Sequence, residues 1–193
     1  MTKNIMIAGV GGQGTLLASK VLGSLFLSQG YDVKVSEVHG MAQRGGSVVT
    51  YVRYGDQVAS PIIDRGEADV LLAFELLEAA RWVSWLKPEG TLIANTQRIL
   101  PMPVITGAAS YPENLAERLG EICWDPILVD ALTPAEEAGS AKAVNVVLLG
   151  ILSAVLGAPP EEAWITALTE HLKPALVEMN RDAFRRGRKM AKN

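Results

Sequence analysis

The sequence predicts an α/β protein: a three-layer sandwich whose sheet is mostly parallel and partly mixed, with extra helices toward the C-terminus. Three observations predict it. Short apolar runs (NIMIA, DVLLA, TLIAN, PILVD) alternate with longer stretches of helical periodicity, the pattern of strands joined by crossover helices. A glycine-rich turn follows the first run and opens the first helix. A later run, SVVTYVRY, is rich in β-branched and aromatic residues and carries a hairpin signal, so the sheet is mixed.

Each element follows in order. Asn4 to Ala8 suits a buried strand that ends in glycines. Thr15 to Ser28 places Leu16, Leu17, Val21, Leu22, Leu25 and Phe26 at helical spacing, and Gly30 punctuates its end. Asp32 to Val38 alternates and reads as a second strand, completing a βαβ unit with a right-handed crossover. Ser47 to Tyr54 is a strand, Gly55-Asp56 a turn, and Gln57 to Ile63 its extended hairpin partner. Asp69 to Ala73 is a buried strand. Glu75 to Leu86 is a helix closed by Lys87-Pro88-Glu89-Gly90, and Thr91 to Asn95 is the next strand. Residues 96–110, with Pro101, Pro103 and Gly107, form a loop or short edge strand. Tyr111 to Glu121 is helical and Pro126 to Asp130 is a strand. Ala138 to Leu156 is a nearly all-apolar and therefore buried helix, stopped by Pro159-Pro160. Two amphipathic helices follow, Glu161 to Thr169 and Pro174 to Met190. Without an internal repeat or linker, residues 1–193 read as one domain, an α/β core over 1–157 and C-terminal helices over 158–193.

Composition excludes several chemistries. The 193 residues include one cysteine, Cys123, and two histidines, His39 and His171. One thiol cannot form an internal disulfide, a Cys₄ zinc site or an iron–sulfur cluster. With no HExxH or Cys-x-x-Cys spacing, no metal site is expected on this chain. The N-terminus lacks a small-residue cleavage site, and the longest apolar stretch, Ala143 to Ala158, is interrupted by Asn145 and Ser153. It falls short of the roughly 20 residues of a membrane span, so no membrane association and a cytoplasmic location are expected. Only 20% of residues are charged and mean hydropathy is +0.19, which points to a subunit interface. Residues 181–193 sum to +5 and the rest of the chain to −8. The basic end suits the last turn of a helix, and the acidic body argues against a nucleic-acid partner.

Two motifs carry the chemistry. Gly9-Val10-Gly11-Gly12-Gln13-Gly14 matches G-x-G-x-x-G between a strand and a helix, the setting of a Rossmann-like phosphate loop. Glycine lets the backbone turn sharply and approach an anion at the helix N-terminus. Glu37, 23 residues after Gly14, stands where a ribose-binding acid would sit. Taken alone, this allows a free-standing NAD(P)- or FAD-binding protein; the plain structural reading is close helix–strand packing. The second motif, Ser36-Glu37-Val38-His39-Gly40-Met41-Ala42-Gln43-Arg44-Gly45-Gly46-Ser47, packs a carboxylate, an imidazole, an amide and a guanidinium among glycines beyond a strand's carboxyl end. Arg44 suits bidentate pairing with an anion and His39 titrates near neutrality, although Glu37, His39 and Arg44 could instead brace one another.

The stretches GVGGQGTLLASKVLG, SEVHGMAQRGGSVVTYVRYG and GEADVLLAFELLEAARWVSWLKPEGTLIANT resemble the gamma-type domain of the 2-oxoacid:ferredoxin oxidoreductases, in particular the small subunits that serve indolepyruvate. The resemblance implies a complex that oxidatively decarboxylates a 2-oxo acid, transfers the acyl group to coenzyme A and passes electrons to ferredoxin. It implies a large alpha subunit holding thiamine diphosphate and 4Fe-4S clusters. The present chain has no Gly-Asp-Gly thiamine signature, since Gly55-Asp56 is followed by Gln57. Carried to this sequence, the contacting residues are Gly9, Gly11, Gly12, Gln13, Gly14, Thr15, Gln43 and Arg44, with supporting roles for Glu37, His39 and Arg44 and no catalytic residue assigned. Elsewhere, Cys123 reads as a packed small hydrophobe, His171 as a surface residue, and Arg98 as a weaker anion-site candidate. Trp82, Trp85, Trp124 and Trp164 read as core or interface anchors. Asn145, in an apolar helix, needs polar partners and could reach the glycine loop.

Overall fold

A computed structural model describes residues 2–39 and 45–191 of the chain. The order of elements is β1 (Lys3–Val10), α1 (Thr15–Ser28), β2 (Asp32–His39), β3 (Ser47–Gly55), β4 (Ala68–Ala73), α2 (Leu76–Trp82), β5 (Leu86–Asn95), α3 (Met102–Ile105), α4 (Leu115–Ile122), β6 (Ile127–Val129), α5 (Leu132–Glu137), α6 (Val144–Leu156), α7 (Glu161–Glu170) and α8 (Val177–Met190). The strands form one sheet in the order β2-β3-β1-β4-β5-β6. β3 runs antiparallel to both its neighbours, while β1, β4, β5 and β6 pair in parallel.

Alternating strand residues divide between two cores, because successive side chains leave a strand on opposite faces. Ile5, Ile7, Val52, Val70, Leu72 and Ile93 pack with residues of α1, α6, α7 and α8. Met6, Ala8, Val49, Leu71, Ala73, Leu92 and Ala94 pack under α2 and α4 on the other face. The three layers and the mixed, mostly parallel sheet are thus as the sequence predicts.

Several local expectations change, among them residues 96–110, which hold the one-turn helix α3 and no edge strand. Residues 57–63 are not a strand. Both edges of β3 are taken by β1 and β2, so no hydrogen-bonding edge remains for a hairpin partner. Arg53 instead gathers the segment by donating to the carbonyls of Ser60 and Ile62, and Val58 N donates to Asp32. The helix expected to Leu86 ends at Trp82, and Lys87 to Gly90 belongs to β5, because Leu86 pairs with Ala68. The helix expected from Tyr111 begins at Leu115, after Asn114 takes a left-handed turn. The long helix expected from Ala138 begins at Val144: Gly139, at φ 120°, and Ser140, whose hydroxyl caps Lys142 N, interrupt the path from α5. The crossover through α1 also skips a position, since β3 lies between β1 and β2.

α6 is buried along most of its length, as its composition requires. α8 lies against it at a backbone-to-backbone approach that two glycines permit. A Cβ on Gly150 would overlap the Phe184 carbonyl, and one on Gly187 would overlap the Val147 carbonyl. The basic end is consumed in this packing: Arg185 and Arg188 pair with Glu161, and Arg186 pairs with Glu137 and Asp182. Among the described residues, no helix is long and apolar enough to cross a membrane.

Candidate functional site

β1 leads through α1 to one side of the sheet, while β4 leads through α2 to the other side and the other face. The carboxyl ends of β1 and β4 therefore flank a topological switch point, the crevice where open α/β sheets take their ligands. The glycine loop fills it. Gly12 and Gly14 adopt φ of 102° and 85°, conformations that glycine takes at little cost. A Cβ on Gly9 would stand 3.1–3.2 Å from Gln13 Oε1, Thr15 Cγ2 and Phe74 Cβ, so these neighbours would have to give way.

Gln13 braces this loop. Its Oε1 accepts from Val10 N at 2.8 Å and its Nε2 donates to the Phe74 carbonyl at 2.9 Å. The side chain thereby ties the end of β1 to the residue after β4, across the crevice. Asn145, near the start of α6, donates from Nδ2 to the Gly14 carbonyl at 3.3 Å, so it does reach the glycine loop. Thr15 is buried at the first turn of α1, whose Gly14 cap carries no side-chain hydrogen bond.

The two sequence motifs meet here. Gly11 N donates to the Gly46 carbonyl at 2.9 Å, joining the glycine loop to the end of the second motif. Gln43 and Arg44 lie outside the described residues. Glu37 and His39 are exposed on edge strand β2, opposite Thr50 and Val48 of β3. With β3 between them, Glu37 stands two strand spacings, roughly 10 Å, from β1. A ribose-binding acid belongs on the neighbouring strand, so this insertion removes the geometric basis for the dinucleotide reading.

The structure also brings in residues that sequence reasoning missed. Glu75 and Glu78 are only 1% and 4% exposed. Glu75 Oε2 caps α2 through Glu78 N at 2.9 Å, while Oε1 accepts from Ile99 N at 3.1 Å and from the Tyr111 hydroxyl at 2.7 Å. Burial, and then the hydrogen bond to Glu75, push the Tyr111 phenol well above its usual range. Glu78 accepts from the Ser47 hydroxyl, from Arg81 Nε at 3.1 Å and from Trp82 Nε1 at 3.3 Å. Asn95, fully buried at the end of β5, donates to the Phe74 carbonyl at 3.2 Å and accepts from Ala131 N at 3.1 Å. One signal was available: Glu75-x-x-Glu78 directly after a strand has the spacing of a helix N-cap box. The long-range partners had none.

Two cavities open at this edge. One, of about 420 Å³, is lined by Gly12, Gln13, Gly14, Gln97, Ile99 and Lys142. The other, of about 310 Å³, lies among Gly45, Ser47, Glu78, Arg81, Ile99 and Met102. Loop peptide groups, a helix N-terminus and the exposed Lys142 make the first suited to an anionic group. A larger cavity of about 770 Å³ lies at the opposite end of the strands, near Lys3, Asp69 and Tyr54, away from both motifs. Size alone does not make it the site, because ligands of open α/β sheets enter at the carboxyl ends. Arg98 stacks over the Tyr111 ring at 5.6 Å and lines neither of the two cavities at the carboxyl edge. His171 Nε2 meets Ser24 Oγ at 2.7 Å on the surface. Cys123 is half-buried, and burial raises its thiol pKa.

Comparison with known proteins agrees with this fold. The family model described as pyruvate ferredoxin/flavodoxin oxidoreductase matches residues 4–190. The indolepyruvate oxidoreductase subunit IorB of Thermococcus kodakarensis is 42% identical over 98% of this chain and 96% of its own length. Among solved structures, a pyruvate oxidoreductase subunit PORC from Thermotoga maritima superposes with a TM-score of 0.77 at 23% identity, covering 97% of this chain and 96% of that one. A 2-oxoglutarate:ferredoxin oxidoreductase from Magnetococcus marinus, solved with 2-oxoglutarate, coenzyme A and succinyl-CoA bound, superposes at 0.74 with 19% identity. It covers 99% of this chain but 31% of that one, so the same fold there is part of a longer polypeptide.

Proposed function

The chain belongs to the pyruvate ferredoxin/flavodoxin oxidoreductase family, and from that premise we propose that it is the small subunit of an indolepyruvate or related arylpyruvate:ferredoxin oxidoreductase. The near-full-length identity to a relative named for indolepyruvate carries this reading. The complex converts a 2-oxo acid and coenzyme A to an acyl-CoA and passes the electrons to ferredoxin, in the cytoplasm.

Thiamine diphosphate and the 4Fe-4S clusters belong to a larger alpha subunit. A cluster needs several thiolates, and this sequence supplies Cys123 alone. Among the described residues, no group of three or more His, Cys, Asp or Glu is arranged to hold a metal. The thiamine ylid supplies the carbon chemistry, and this chain supplies positioning. Gly12 and Gly14, with Lys142 nearby, line the cavity that receives an anionic group, for which a phosphate of coenzyme A is the fitting candidate, and Gly9, Gly11 and Thr15 complete the loop around it. Gln13 shapes that loop from behind. Glu37 and His39, exposed on β2, keep supporting roles there, and the roles given to Gln43 and Arg44 rest on the sequence motif alone.

Co-expression with a large, cysteine-rich partner tests the reading. The complex should be brown and should reduce ferredoxin only when arylpyruvate and coenzyme A are both present. The isolated chain should be colourless and inactive. Turnover by the isolated chain, or micromolar binding of NAD or FAD to it in calorimetry, would overturn the proposal.

A further inference from the structure

We propose that Glu75 is a positioning residue that fixes the wall shared by the two carboxyl-edge cavities. The inference rests on assigning those cavities to substrate handling. The wall is the segment from Gln97 to Tyr111, which carries α3. Ile99 lines both cavities, Gln97 lines the one beside the glycine loop, and Pro101, Met102 and Pro103 line the other.

Little else among the described residues holds this segment down. Its own α3 is a single turn, and Leu100, Met102 and Ile105 point into solvent, Met102 at 62% exposure. A segment with its large apolar side chains outward gains little from burial, so its shape depends on polar ties. Glu75 supplies one at each end, through Ile99 N and through the Tyr111 hydroxyl. The same carboxylate caps α2, which presents Glu78 and Arg81 to the second cavity. One buried group thus sets three things in mutual register: the start of α2, the entry of the segment and its exit. Further ties come from Leu76 N to the Gln97 carbonyl at 3.1 Å and from Asn95 Nδ2 to Gln97 Oε1 at 3.4 Å, and both fix only the entry.

All three partners of Glu75 are donors, so both of its carboxyl oxygens serve as acceptors. Glutamine cannot replace it in kind. Its NH₂ has to face either Glu78 N or the side shared by Ile99 N and the Tyr111 hydroxyl, so Glu75→Gln keeps the volume and breaks either the helix cap or the wall ties. Glu75 lines the second cavity but offers a ligand no oxygen that its own partners do not already use.

The test uses the assembled complex. Glu75→Gln should raise KM for coenzyme A by about tenfold while kcat stays within about twofold, because a misplaced wall weakens binding more than chemistry. Hydrogen exchange at the Ile99 amide should accelerate by a similar factor, a readout independent of turnover. Tyr111→Phe, which removes only the exit tie, should show the same signs at smaller size and stands in should Glu75→Gln fail to fold. Faster Ile99 exchange with KM unchanged would reduce Glu75 to a helix cap and overturn the proposal. Unchanged Ile99 exchange in both Glu75→Gln and Tyr111→Phe would overturn it as well. A wild-type complex inactive with arylpyruvate and coenzyme A would instead show that the functional reading has failed, and this inference with it.

Discussion

Gln13 shows what a single side chain does to a familiar motif. In the sequence it is a bulky polar residue among glycines and reads as a ligand contact. In the structure both ends of its amide are engaged, one with Val10 and one with Phe74, 61 residues away in sequence. Gln13→Ala should leave Val10 N without its acceptor in a crowded loop and cost about 1–2 kcal/mol, the scale of a lost partner at a buried polar group. Urea unfolding with an unchanged slope would check it. Gly14 and Asn145 form the complementary pair, since a Cβ at Gly14 would overlap Asn145 Nδ2. That Asn145 needed a partner was legible from its place in an apolar helix. Which partner it found was not, because the donor and the carbonyl are 131 residues apart.

Helix ends and helix contacts carry the predictions at the next scale. Asp130 precedes α5, and its carboxylate accepts from Leu132 N, Thr133 N and the Thr133 hydroxyl. The Thr133 hydroxyl, above all, lowers its pKa below the ordinary value. A depressed carboxyl contributes stability above its unfolded pKa of about 3.9 and loses it as pH falls through the lower folded value. Asp130→Asn should therefore be less stable than wild type at pH 7 and nearly equal to it at pH 2, in denaturant midpoints taken across that range. At the α6–α8 contact, Gly150→Ala should cost at least about 2 kcal/mol, because the methyl group meets a backbone carbonyl that cannot turn aside. A thermal melt of the variant checks it. Apolar runs and caps made most elements legible. The hairpin over 57–63 was misread because alternation describes a strand's faces and not which edges are free. The extension of β5 back to Leu86 was missed for a related reason: Lys87-Pro88-Glu89-Gly90 looks like a helix stop, and only pairing with Ala68 makes it a strand.

The mean hydropathy of +0.19 is a property of the whole molecule. Two buried cores account for part of it, but Leu100, Met102, Ile105, Ile122 and Trp124 remain exposed, Trp124 at 85%. Exposed apolar side chains of this kind are the material of subunit interfaces. The isolated chain should therefore self-associate as its concentration rises, and the larger subunit should suppress this; static light scattering on the chain with and without its partner measures both. The positive end of the chain makes the opposite point. Its arginines are paired with Glu137, Glu161, Glu178 and Asp182, so the basic end that the sequence placed in a helix is also part of the packing. The sequence by itself determined the layers, the glycine loop and the exclusion of cluster chemistry, since periodicity, glycine spacing and thiol count are local and additive. Only the tertiary structure decided that β3 separates Glu37 from β1, that Gln13 and Asn145 hold the loop, and that Glu75 ties Ile99 and Tyr111 to the start of α2. Those outcomes depend on strand order and on contacts between residues far apart in the chain, which no local pattern encodes.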